Sequence, residues 1–174
     1  SYKAGDQPNN ALALNVLEPG EVAATAGTSG VVYAVSDQLS YDTASRVNSF
    51  AHVNHTETEN RIGVLLCING CGITNRWIKK MAAGPMSYEQ MNEAAAGIPP
   101  GADGLQLIPF GNGAERMLGN QLVGGGLLNL DYNIHSSAHL FRAAQEGIAY
   151  AFRYGIDIMR ENDIFPSVVR AGQA

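Results

Sequence analysis

Four residues at a tight turn, Gly27-Thr28-Ser29-Gly30, carry the first chemical signal in the chain. Runs suited to strands flank them, Val22–Ala26 and Val31–Ser36. Glycines at both ends of the turn tolerate backbone angles that other residues resist, and they let a bulky anion approach the main chain. Thr28 and Ser29 add two hydroxyls, each able to donate a hydrogen bond. A hairpin tip with free N–H groups and two hydroxyls can cradle phosphate, although four such residues also make an ordinary turn. The second signal is Asp6, at a strand-to-helix junction just ahead of Pro8. There it can cap a helix. A carboxylate at such a junction can also serve as a general base.

The remaining titratable residues point away from a metal centre. Cys67 and Cys71 stand four apart in an apolar run, a helical spacing that puts both thiols on one face as reduced core residues. His52 and His55 have no ligand partners nearby and read as solvated or locally bonded. His135 and His139 read as helix-start residues, with no acidic partner at matching spacing. Asn54-His55-Thr56 has the form of a glycosylation sequon, without meaning in the cytosol.

The elements that must position these residues follow in order. A helix from about Pro8 runs to Val16 and stops at Pro19-Gly20. The hairpin follows, then a polar, irregular surface excursion from Tyr41 to Asn60. Arg61–Ile68 is a buried strand, and Ile73–Met81 a helix ended by Gly84-Pro85. Ser87-Tyr88-Glu89-Gln90 has the pattern of a capping box opening a helix to about Ala96. Leu105–Phe110 is a short strand, Gly124–Gly126 a loop, and Leu127–Leu130 a strand. The longest helix spans about Ser136 to Asn162, where Gly147 and Ala151 permit close approach of a neighbour. Val168–Ala171 is the last strand. This order predicts a mixed α/β domain, a ribonuclease-H-like layout of five strands with flanking helices, over residues 1–174.

Composition sets the bounds. The 174 residues are 45% hydrophobic and 16% charged, enough for one domain with a real core. A net charge of −5 argues against a nucleic-acid surface. No apolar run approaches a membrane span and no signal peptide precedes Ser1, so a cytoplasmic setting is expected. Ser1–Asp6 reads as the tail of a strand, and the last residues as a strand entering a glycine turn, so a fragment is expected.

Together the motifs resemble the C-terminal domain of the FGGY carbohydrate kinases, and among them the xylulose kinases, over essentially the whole chain. Ala4-Gly5-Asp6-Gln7 with its small-residue helix resembles the family's catalytic aspartate segment. Gly27-Thr28-Ser29-Gly30-Val31 is similar to its second phosphate loop, in the form typical of xylulose kinases, and Ser49-Phe50-Ala51-His52 has a counterpart. Asn129-Leu130 and His139 to Gly147 follow the second signature, departing at Asn129, where glycine is usual, and at Gln145, where an apolar residue is usual. Val169 to Ala174 resembles the adenosine motif, with only Gly172 kept of its usual glycine run.

The resemblance implies an actin-like ATPase fold in which two domains clasp ATP and Mg2+. It implies Asp6 as the base, and Gly27, Thr28 and Ser29 as phosphate contacts. Gly72 and Arg76 would face the nucleoside and Gly172 would pass beneath it. Gly72 also reads as a plain helix-start glycine and Arg76 as a surface charge. Glu115-Arg116 fits a sugar-side contact or a solvated pair. Magnesium would be held mainly by phosphates and water. The implied partners are a sugar, ATP and an N-terminal domain absent from this chain. Exposed sheet edges would invite self-association, a homodimer included. Phosphorylation of D-xylulose is the leading expectation, with another pentulose or glycerol, or a non-catalytic actin-like module, as the alternatives.

Overall fold

The strand after the hairpin turn is apolar from Val31 to Val35, and the fold buries it on both faces. A continuous rather than alternating apolar run is the mark of such a central strand. In the structure, a computed structural model that describes residues 5–39 and 41–172, this strand is β2 (Gly30–Ser36). Around it stand β1 (Glu21–Ala26), β3 (Asn48–Ala51), β4 (Ile62–Ile68) and β7 (Val168–Gly172), in the spatial order β3-β4-β2-β1-β7. All neighbours are antiparallel except β1 and β7, which are parallel.

Side chains alternate across the sheet. Val31, Tyr33 and Val35 join Ala23 and Phe50 beneath α1 (Asp6–Ala13), which contributes Ala11. Val32 and Ala34 join Val22, Val64 and Leu66 beneath α4 (Ser137–Glu161), which contributes Ala151, Ile158 and Met159. A further apolar layer lies beyond. There α2 (Gly72–Ala82), α3 (Tyr88–Ala96) and the start of α4 bury Ile78, Met91 and Phe141 with Leu107 of β5 (Gln106–Phe110). β5 pairs only with β6 (Gly124–Leu128), as a separate hairpin.

Several sequence expectations change here. The five-stranded sheet takes its edge from β3, inside the stretch read as irregular, and leaves out the strand at 106–110. The glycine run at 124–126 is strand, not loop. α1 ends at Ala13, with Asn15 in the left-handed region, so it stops short of Val16. Cys67 lies in β4 and Cys71 caps α2, so the two thiols share no helix face. The Ser87 capping box is present, with Gln90 closing it. Gly147 meets β5 closely enough that a Cβ there would lie 2.3 Å from the Leu107 carbonyl oxygen. The strand tail expected at residues 1–4, and the last two residues of the adenosine motif, lie outside the described residues.

Candidate active site

Asp6 is the first residue of α1 and is exposed. Gly5, not Asp6, occupies the cap position, and no side chain caps the helix. Among the described residues the Asp6 carboxylate accepts only from the amide of its neighbour Gln7, at 2.9 Å. It faces a cleft of about 660 Å³, walled on one side by Gly5–Pro8 and on the other by Phe50, His52, His55 and Leu65. The carboxylate is therefore free to meet a hydroxyl in that cleft.

The hairpin tip presents Thr28 and Ser29 to solvent. Among the described residues their backbone amides have no hydrogen-bond partner, which leaves both available as donors. Neither Gly27 nor Gly30 takes a positive φ. Gly30 is required for room instead: a Cβ there would lie 2.4 Å from the Cys71 sulfur and 2.7 Å from the Phe152 ring. Burial pushes the Cys71 thiol up to about 11, so it is a core group rather than a nucleophile.

The tip is seated on the start of α2. The Gly72 amide donates to the Gly27 carbonyl at 2.9 Å, and the Ile73 amide to the Thr28 carbonyl at 3.1 Å. Two of the helix's otherwise unsatisfied first amides are thereby met. A Cβ on Gly72 would lie 2.4 Å from that Gly27 oxygen, so the close approach requires glycine. Arg76 stands one turn further along α2, exposed, with no ion pair among the described residues. Beside it, Ile73, Thr74 and Trp77 of α2 and the β5–β6 hairpin line a cleft of about 530 Å³. Trp77, the one tryptophan of the chain, was the available sequence signal for that cleft.

Ser29 reaches sideways to Asn69 at 3.5 Å, and Asn69 donates to Glu115 at 3.2 Å. Arg116 donates to Asn48 at 2.9 Å. Glu115 and Arg116 are thus each tied to an asparagine and do not form a pair. Gly172 lies across from Thr25 in the β1–β7 register, against Leu14 at the end of α1. Thr25 in turn accepts a hydrogen bond from Asn10 of α1 at 2.5 Å. The structure therefore joins Gly27 and Thr28 directly to Gly72, lays Gly172 across from Thr25, and carries Asp6 on a helix tied to that same strand.

His52 is buried rather than solvated, and its bonds are long-range. Its Nδ1 meets the Tyr33 hydroxyl at 2.7 Å and its Nε2 the Val16 carbonyl at 3.1 Å. The carbonyl can only accept, so Nε2 carries the proton and Tyr33 donates to Nδ1. Burial lowers the His52 pKa from its usual 6.5. His139, expected to lack an acidic partner, has one at long range: its Nε2 lies 3.0 Å from Asp103. Among the described residues no group of three or more acidic, histidine or cysteine side chains could hold a metal ion.

A five-stranded mixed sheet with helices on both faces is the ribonuclease-H-like domain of the actin-like ATPases. The chain superposes on xylulose kinase from Rhodospirillum rubrum with a TM-score of 0.86, over 97% of this chain and 33% of that one, at 26% identity. It superposes on Plasmodium falciparum glycerol kinase with ADP at a TM-score of 0.79, over 98% of this chain and 34% of that one, where 16% identity speaks for the fold alone. By sequence it is 29% identical to the xylulose kinase of Bacillus subtilis, over 92% of this chain and 31% of that protein. It is 32% identical to the gluconokinase of Bacillus licheniformis, over 84% of this chain and 29% of that protein. No family model matches the chain. Both of these curated relatives are carbohydrate kinases, and the chain spans less than a third of the length of either. Among the described residues no helix is long and apolar enough to cross a membrane.

Proposed function

We propose that this chain is the C-terminal nucleotide-gripping part of a cytoplasmic, ATP-dependent carbohydrate kinase, whose sugar is D-xylulose and whose product is D-xylulose 5-phosphate. The observation that carries the reading is the hairpin tip. Thr28 and Ser29 offer two hydroxyls and, among the described residues, two unpartnered amides at one exposed point, fixed from behind by the start of α2. Such a set of donors suits the phosphates of a nucleotide. ATP supplies the phosphoryl group when bound, with Mg2+ carried mainly by its phosphates.

In this reading Asp6 accepts the proton of the attacking sugar hydroxyl. It stands exposed in its cleft and, among the described residues, makes one local hydrogen bond that need not be displaced. Thr28 makes the direct phosphate contact, with Gly27 and Ser29 beside it. Gly72 and Arg76 lie on the nucleoside side, and Gly172 passes beneath. Phosphoryl transfer asks mainly for positioning and charge neutralisation, so a rigid tip matters more than a reactive side chain.

A second sugar has a specific observation in its favour, since a gluconokinase is among the relatives at 32% identity. The complete protein, assayed with D-xylulose, D-gluconate, glycerol and other pentuloses, separates these readings by its ratio of kcat/KM values. Asp6→Ala should abolish phosphorylation of every sugar and leave ATP binding nearly intact. Activity surviving in that variant would remove Asp6 from the role of base. A complete protein that binds ATP and phosphorylates no sugar would be a non-catalytic actin-like module.

A further inference from the structure

From the contact between Asn10 and Thr25 we infer that these two are positioning residues, which set the separation between Asp6 and the hairpin tip. The inference rests on the kinase reading above. Asn10 follows Asp6 by four residues and so lies on the same face of α1, about 6 Å further along the helix. Thr25 precedes Gly27 by two residues, about 7 Å along β1. The bond from Asn10 Nδ2 to Thr25 Oγ1 is the only side-chain hydrogen bond joining α1 to the sheet among the described residues.

The rest of the α1 contact cannot do the same work. The helix buries only Pro8 and Ala11. Their small side chains seat the helix against β1 and β2. Apolar contact of this kind is non-directional and leaves axial sliding and rotation weakly restrained. A hydrogen bond is directional and fixes both. Thr25 is 2% exposed, within a strand held on one side by β2 and on the other by β7, so it is a rigid anchor. The base and the phosphate donors thus stand on two elements that, among the described residues, meet through one side-chain hydrogen bond. A misplacement of about 1 Å in such an arrangement costs on the order of a hundredfold in rate.

The test uses the complete protein as wild type, Thr25→Val, Thr25→Ser and Asn10→Ala. Valine keeps the shape of threonine and removes the acceptor, while serine keeps the acceptor. Asn10 is only partly buried, so its replacement leaves the fold intact even if the valine variant does not fold. Steady-state kinetics and amide hydrogen exchange over residues 6–14 are read together. Thr25→Val and Asn10→Ala should lower kcat at least tenfold, leave the KM for ATP within twofold, and speed exchange of the α1 amides about tenfold. Thr25→Ser should stay within twofold of wild type in both. Equal damage from serine and valine would overturn the inference, because shape rather than the hydrogen bond would be responsible. A raised KM for ATP with unchanged kcat, or unchanged exchange in α1, would also overturn it. A wild-type protein without kinase activity would sink the kinase reading instead, and the exchange measurement would then decide on the tether alone.

Discussion

At the scale of single residues, Glu21 is a carboxylate firmly held by its surroundings. It accepts from the Leu17 and Glu18 amides at 2.8 and 3.1 Å and from Arg170 at 2.8 Å. These donors, the Leu17 amide foremost, lower its pKa from 4.5 to about 2. Glu21→Gln should cost about 2 kcal/mol near neutral pH, the loss expected for charge-assisted hydrogen bonds. A lowered carboxylate pKa contributes stability that is full above about pH 4.5 and fades as pH falls towards about 2. Urea unfolding of wild type and variant across that range should therefore show their difference shrinking with acid. A constant gap would mean that Glu21 acts through shape alone. His52 has the opposite charge type. The unfolded chain takes up a proton near pH 6.5 while the buried ring resists it, so stability should drop as pH falls below about 6.5. His52→Gln should flatten that part of the profile, and an unchanged profile would assign it to other groups. At this scale the sequence was partly legible. The departure from glycine at Asn129 has a visible reason, since the position sits at φ +60, where asparagine is tolerated better than most residues. Gln145, where an apolar residue is usual, bonds Asn92 of α3 at 2.9 Å. The partners of His52 and His139 were not legible, because they arrive from 19 to 36 residues away.

At the scale of elements, the hairpin and α2 form one unit through Gly72. Gly72→Ala would place a methyl 2.4 Å from the Gly27 carbonyl, and a backbone oxygen cannot rotate aside. The tip must lift from the helix, breaking the Gly72 and Ile73 bonds. The expected cost is about 1–3 kcal/mol, as for other overpacked sites. In the complete protein the KM for ATP should rise, since the Thr28 and Ser29 donors move with the tip. Thermal unfolding and ATP titration of the same variant check both effects, and a variant with wild-type ATP affinity would show that the tip holds its shape without the helix. Gly147→Ala is the control. Its methyl would meet the Leu107 carbonyl of β5 at 2.3 Å rather than the tip, so stability should fall with the KM for ATP less affected than in Gly72→Ala. Elements with strong local patterns were read correctly from sequence: the hairpin, the buried strand at 62–68, the Ser87 capping box and the long helix. β3 was missed because its four residues are polar or half-buried and owe their strand state to pairing with β4. The glycine run of β6 was missed for the same reason, since only pairing with β5 makes it a strand.

At the scale of the molecule, the proposed site has one wall where phosphoryl transfer would need two. The Thr28 and Ser29 donors face solvent, Asp6 is exposed in an open cleft, and among the described residues nothing closes over either. A nucleotide resting on this face would keep its outer phosphate oxygens in water. The interactions that neutralise charge in the transition state would then act in a high dielectric, where they are weak. Water would also compete with the sugar hydroxyl for the phosphoryl group. The relatives are more than three times as long as the stretch they share with this chain, which accommodates an opposing wall elsewhere in the complete protein. The purified 174-residue chain, given ATP, Mg2+ and D-xylulose, should therefore form no sugar phosphate in a coupled assay, while the complete protein turns over under the same conditions. Added inorganic phosphate or ADP should at the same time slow exchange of the Thr28 and Ser29 amides in the short chain, because those donors need no second wall. Turnover by the short chain would mean that one face suffices for catalysis. Protection absent even at high ADP would mean that the tip becomes a phosphate site only when the opposing domain presses the nucleotide against it.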